Sequence, residues 1–277
     1  MFDTNVHKSW SGPGRRFVFE RGADMHLAIG IIAAIVIFGI LVVVHEGGHF
    51  ATAKAVGVRV NEFSIGMGPL LFSGKKGETM YSLRLLPIGG YVALEGEDEE
   101  SDDERSFSNK PAWAKLLVLA AGPFMNFLFA VIVLTVLLMV IGGPTNVFQA
   151  LVLGFKNCVN MEIMIFDALK DLITGAGSVD DVVGPIGIVD AVDKTAQAGM
   201  SNLVLLTVVL SLNLGLFNIL PFPALDGGRI LFVIIRAVTG KAITDEMENK
   251  IHYVGIMILF GLMILITMKD VNTFFLK

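Results

Sequence analysis

The sequence predicts an all-α multi-pass membrane protein, with four transmembrane helices and a small membrane-associated β-hairpin unit after the first. Three observations carry that prediction. Of the 277 residues, 54% are hydrophobic and only 17% are charged, where a soluble domain carries about 25% charge. The deficit is concentrated in four runs that hold no charge at all: Leu27–Val44, Leu116–Ile141, Leu203–Leu225 and Tyr253–Met268. Each run is apolar on every side rather than along one stripe, as expected for a helix surrounded by lipid.

A bilayer core requires about 20 apolar residues in a helix, within a range of about 17–25. The first three runs fit. The fourth reaches the needed length if Ile251 and His252 sit at the interface. The first run is too long for a removed signal peptide and lacks the small-residue cleavage site. Residues 1–24 form a polar leader, expected to be a tag or an alternative start, since Met25 opens a natural beginning. Residues 25–141 then hold the first two helices, 142–202 an extracytoplasmic segment and 203–277 the last two helices.

Lysine and arginine accumulate in cytoplasmic loops. Eight of them lie between Gly47 and Lys115 and four between Arg229 and Lys250, but only three between the second and third runs. The first and last loops are therefore expected inside and both termini outside. Within the first loop, residues 58–94 alternate and carry turn signals at Gly66-Met67-Gly68-Pro69, Gly74-Lys75-Lys76-Gly77 and Pro87-Ile88-Gly89-Gly90. They read as a hairpin against the membrane, with Tyr81, Leu83 and Leu85 on one strand face. Residues 95–104, EGEDEESDDE, are eight-tenths acidic and read as a solvated, disordered linker. Beyond the second run, Val147–Ile173 and Ile186–Ala198 read as amphipathic helices lying in the interface.

Cys158 is the only cysteine, which excludes an intramolecular disulfide and cysteine-rich metal sites. A net charge of −5 argues against nucleic acid as a partner.

The chemistry is concentrated where charge is most costly. Ionisable groups at bilayer depth cost roughly 2.5–3.5 kcal/mol each on insertion scales and are rarely idle. The first run nevertheless ends in His45-Glu46-Gly47-Gly48-His49. On a helix, residues four apart share a face, so the two imidazoles can bind one zinc ion. Glu46, turned away from that line, can then act as a general base. This is the division of labour in H-E-x-x-H zinc hydrolases; a bland alternative is a pair of hydrogen-bonded interfacial histidines. A catalytic zinc takes three protein ligands. Among the other histidines, His7 lies in the leader and His26 at the far end of the first span, and His252 is the weaker candidate beside Asp226. Asp226 ends a 23-residue uncharged run broken by Pro221 and Pro223, and broken backbone at membrane depth borders a cavity or packs in protein. Spacing alone divides Asp226 evenly between a ligand and an N-cap of the following helix.

These motifs, in this order, resemble the site-2 protease family of intramembrane zinc metalloproteases. HEGGH (45–49) and NILPFPALDGG (218–228) carry the resemblance. FSIGMGPLLF (63–72), YSLRLLPIGGYVALEGE (81–97), AGPFMN (121–126) and GPIGIVDAVDKTAQAG (184–199) resemble the RseP-like branch. The resemblance implies zinc held by His45, His49 and Asp226, with Glu46 as catalytic base. It implies that Asn218 hydrogen-bonds substrate backbone, where the residue alone would also suit an interhelical hydrogen bond. It implies that the hairpin, through Tyr81, Leu83 and Leu85, receives substrate as an added strand. Asn126 reads as a helix-packing residue. The expected reaction is hydrolysis of peptide bonds within transmembrane segments of single-span membrane proteins already trimmed outside by a site-1 protease. Anti-sigma factors and signal-peptide remnants are the expected kinds of substrate. The expected location is a bacterial cytoplasmic (inner) membrane, with the active site near the cytoplasmic side. One departure stands out. The RseP-like branch carries PDZ domains between the second and third spans, and about sixty residues here are too few for one, whether by nature or by removal. A metal-ion transporter using the same three ligands and a catalytically silent membrane scaffold are the rival readings; the scaffold is disfavoured because all four site residues are present.

Overall fold

The structure, a computed structural model, describes residues 21–97, 101–178, 182–240 and 244–275, so most of the 1–24 leader lies outside the described residues. The chain is a predominantly helical multi-pass membrane protein. Helix α1 (Arg21–Ala55) is followed by strands β1 (Val60–Lys76) and β2 (Thr79–Leu94), then by helix α2 (Ala112–Val140). Helices α3 (Val147–Thr174), α4 (Pro185–Ala198), α5 (Met200–Ile219), α6 (Asp226–Thr239) and α7 (Asp245–Phe275) complete it. Among the described residues, four helices are long and apolar enough to cross a membrane: α1 from Ala28, α2, α5, and α7 over Glu246–Thr273.

Lipid tails are as apolar as leucine, so spans associate through close packing at small residues rather than through hydrophobic burial. That is how α2 holds its neighbours. A Cβ on Gly48 of α1 would lie 2.4 Å from the carbonyl oxygen of Ala121, which puts the two backbones in contact. On the other side of α2, Gly215 of α5 faces the Pro123 carbonyl, and the buried Ser211 hydroxyl donates to the Asn126 carbonyl at 2.8 Å. Pro123 lies inside α2, where its missing N–H leaves one carbonyl of the preceding turn without its usual partner.

Asn146 caps α3 by accepting from the Phe148 and Gln149 N–H groups, and Gly175 ends it in the left-handed conformation. The helix packs on two spans: Cys158 is fully buried among Ala130, Val131 and Leu134 of α2 and Val208 and Leu212 of α5. Helix α4 places Val192 against Ala34, Ile37 and Leu41 of α1. The most peripheral span is α7, only 11% of whose apolar window is buried by protein. It is attached near its two ends, where Asp270 accepts the Gly187 N–H at 2.8 Å and His252 reaches the chain between α5 and α6.

The expected hairpin at 58–94 is present as β1 and β2, which pair antiparallel with several register shifts. It is more folded than a simple ribbon. The inner part of β1 is flanked twice, so that Ile65 is opposite both Gly90 and Leu83. The outer part of β1 closes on the start of β2, from Leu70–Arg84 to Lys76–Thr79. Burial pushes the Glu62 carboxyl up, but the Ser82 hydroxyl and the Arg84 guanidinium, the latter at 2.9 Å, hold it below the ordinary carboxylate range. The acidic stretch after the hairpin departs from the expectation of a free linker. Glu95 accepts from Asn61 at 2.8 Å, Asp103 pairs with Arg59 at 3.1 Å and Glu97 pairs with Arg229. Basic residues of neighbouring elements neutralise and order the described part of this segment.

Candidate functional site

Helix α1 carries His45 and His49 on one face, and both are buried. The facing surface of α2 is Gly122, whose Cβ would lie 2.3 Å from His49 Nε2 and 2.8 Å from His45 Nε2. Only a residue without a side chain leaves room there for two imidazoles. His49 Nδ1 is 2.8 Å from the Val118 carbonyl oxygen. A carbonyl only accepts, so Nδ1 carries a proton, and in the neutral ring Nε2 is the nitrogen that presents a lone pair.

The third group arrives through a break in the helices. Helix α5 ends at Ile219, Pro221 and Pro223 interrupt the chain, and α6 begins at Asp226. Close contacts force the turn: a Cβ on Gly227 would lie 2.2 Å from the Leu220 carbonyl oxygen, and one on Gly228 2.4 Å from that of Phe222. The N-cap position of α6 falls on Leu225, where no side-chain capping bond is made, and Asp226 stands in the first turn. Its Oδ2 lies 3.1 Å from His45 Nε2 and 3.3 Å from His49 Nε2, and the two Nε2 atoms are 3.3 Å apart. The structure therefore brings together the three residues that the sequence singled out as ligands.

That triangle fits zinc. Three donors about 2.0–2.1 Å from one tetrahedral centre stand about 3.3–3.4 Å apart, close to the separations found. Two imidazoles and a carboxylate converging on one point, with the His49 ring turned so that its neutral form leaves Nε2 as the donor, are a set that a cation completes. Among the described residues this is the sole trio of histidine, cysteine or acidic side chains close enough to hold a metal ion.

The triangle borders a cavity of about 600 Å³. Glu46 and Asn218 line it with the ligands, as do residues 89–94 of β2. The Asn218 side-chain amide donates to the Leu214 carbonyl within its own helix at 2.9 Å, so the interhelical bond weighed for it is not formed. Gly90 comes closest to the chemistry: its missing Cβ would lie 3.2 Å from Glu46 Cγ and 2.7 Å from the Ser64 carbonyl oxygen.

The structure places the hairpin residues away from the cavity. Tyr81 is flanked by Phe63 and Gly74, and Leu83 by Ile65 and Phe72, so neither lies on an open sheet edge. Neither they nor Leu85 line the cavity. The stretch that does, Gly90–Leu94, pairs on one side only, with the inner part of β1. Alternation identified a strand but could not reveal that the ribbon doubles back. The available signal was Gly89-Gly90 itself, a pair of glycines inside a strand pattern, which marks close backbone approach.

Comparison with known proteins follows the same lines. The sequence matches peptidase family M50 over residues 33–262. It is 32% identical to a provisionally named zinc metalloprotease of Clostridium perfringens, over 87% of this chain and 98% of that protein. It is 26% identical to the regulator of sigma-W protease RasP of Bacillus subtilis, over 89% of this chain and 99% of that one. These alignments run to 328 and 417 positions, longer than the 277 residues here, so both relatives contain stretches without a counterpart in this chain.

Proposed function

The chain belongs to peptidase family M50 and is an intramembrane zinc metalloprotease, and on that premise we propose that it hydrolyses peptide bonds within the transmembrane segments of single-span membrane proteins already trimmed on the outer side. The observation that carries this is the convergence of His45, His49 and Asp226 to within 3.3 Å of one another beside Glu46. In this reading the three converging side chains hold zinc. Zinc bound there supplies Lewis acidity, which polarises a carbonyl and makes water a nucleophile near neutral pH. Glu46 takes the proton from the attacking water and returns it to the leaving amine, so one carboxylate serves both halves of the reaction.

A transmembrane helix hides its carbonyls in its own hydrogen bonds, so it must open locally before it can be cut. Gly90–Leu94 offers the replacement partner. These residues line the cavity and pair with the inner part of β1 alone among the described residues, so an extended substrate laid along their other side would recover main-chain hydrogen bonds next to Glu46. Asn218, which also lines the cavity, then hydrogen-bonds substrate backbone. Anti-sigma factors and signal-peptide remnants are substrates of the right form, with a site-1 protease making the first cut. The excess of lysine and arginine in the first and last loops supports an orientation with the hairpin and the site toward the cytoplasm, and the bacterial relatives support a bacterial cytoplasmic membrane.

The test is a Glu46→Gln protein assayed in liposomes on a fluorescent single-span substrate. Loss of the general base is expected to cut turnover by about 10²–10⁴-fold while bound zinc stays at the wild-type level. Cleavage at the wild-type rate would overturn the proposal.

A further inference from the structure

Asp226 reaches the metal site from a strained turn, and its support lies on another helix. Ala224, two residues earlier, has φ +79°, the sole positive φ at a non-glycine position among the described residues. An L-residue is disfavoured there because its Cβ crowds the following carbonyl, so the turn persists only if its surroundings hold it.

What holds it is His252 of α7. Its Nδ1 accepts the Ala224 N–H at 2.8 Å, and the side chain is buried. Because Nδ1 accepts, the proton of the neutral ring sits on Nε2, which faces Glu248 Oε1 at 3.6 Å. Glu248 in turn accepts from Arg236 of α6 at 2.5 Å. The ring of Phe232, also on α6, lies 5.6 Å from that of His252. One turn along α7, Gly255 admits the same loop, since a Cβ there would lie 2.5 Å from the Pro223 carbonyl oxygen. Helix α7 is otherwise poorly packed, yet here it presents a buried acceptor to the one non-glycine residue with positive φ among the described residues.

We propose that His252 is a positioning residue for the metal site: by accepting the Ala224 N–H it fixes the left-handed turn that aims the Asp226 carboxylate at His45 and His49. The inference rests on Asp226 being a zinc ligand. Without the acceptor, Ala224 relaxes to a negative φ and the carboxylate rotates off the triangle. His252 touches neither metal nor substrate; it acts through the backbone.

The experiment is zinc competition with a chromophoric chelator on the purified full-length protein in detergent, with circular dichroism and elution profile as checks of folding. His252→Phe keeps the volume and removes the acceptor, and zinc affinity is expected to fall about 10–100-fold, as for lost outer-shell partners of metal ligands. His252→Asn places an amide oxygen near the Nδ1 position and is expected to recover affinity to within a few-fold of wild type. His252→Gln places its amide at the Nε2 position and is expected to bind as weakly as the phenylalanine variant. In an Ala224→Gly background, where a positive φ is unstrained, the loss from His252→Phe should shrink. Wild-type affinity in His252→Phe, or equal affinity in the Asn and Gln variants, would overturn the inference. Asp226→Ala separates the two levels. If it keeps wild-type zinc affinity, the ligand assignment itself fails. If it loses zinc while His252→Phe does not, only the role of His252 fails.

Discussion

At the residue scale, the site depends as much on atoms that are missing as on those that act. Gly122 is the clearest case: two imidazole nitrogens occupy the space where a side chain would begin. Gly122→Ala is therefore expected to push His45 and His49 apart and weaken zinc binding by at least about tenfold, with helix content unchanged. Inductively coupled plasma analysis of the purified variant reads this directly, and full zinc occupancy after dialysis against a weak chelator would contradict it. The histidine pair was legible from the sequence because its shared face follows from helix periodicity alone. Gly122 was not, because nothing local distinguishes a glycine that faces a metal site from one that faces lipid.

At the element scale, the hairpin shows that a strand assignment does not say which of its edges is open. The period-two pattern at Met80–Leu86 identified a strand, yet Tyr81 and Leu83 are paired on both flanks and the open edge is Gly90–Leu94. Edge or interior is decided by how the ribbon folds on itself, which a pattern within one strand does not encode. Gly90→Val tests the open edge. A branched side chain must displace the Ser64 carbonyl, Val42 or Glu46, moving the strand away from the base. Turnover is expected to fall roughly 10²-fold, as for misplacements of about 1 Å, with zinc content preserved. A Leu85→Ala control, away from the cavity, should cleave at close to the wild-type rate. The reverse ranking in a liposome assay would return the docking role to the Tyr81–Leu86 face.

At the scale of the whole molecule, the metal triangle joins distant parts of the chain: α1 contributes two corners and α6 the third, 181 residues away in sequence. Zinc bound to the folded state alone stabilises it by about 2.7 kcal/mol when free zinc exceeds the dissociation constant 100-fold. Removing it with a membrane-permeant chelator is expected to lower the unfolding midpoint by several degrees and to abolish cleavage. Both should return when zinc is added back. An unchanged midpoint in detergent, followed by intrinsic tryptophan fluorescence, would show that α1 and α6 are held together without the ion.

The sequence by itself determined the spans, the hairpin and the His45-Glu46-His49 motif, because each is written in a period or a run length that a single helix or strand expresses locally. It also brought Asp226 to notice, as an acid ending an apolar run, but left it evenly divided between ligand and helix cap. Tertiary structure supplies what spacing lacked, the position of that carboxylate beside His45 and His49. The turn that carries Asp226 is shaped by backbone contacts at Gly227 and Gly228 and by a hydrogen bond from α7, and the carboxylate finds its partners on a helix packed beside it. Local propensity states which groups a segment carries; only the packing of separate segments fixes where those groups meet.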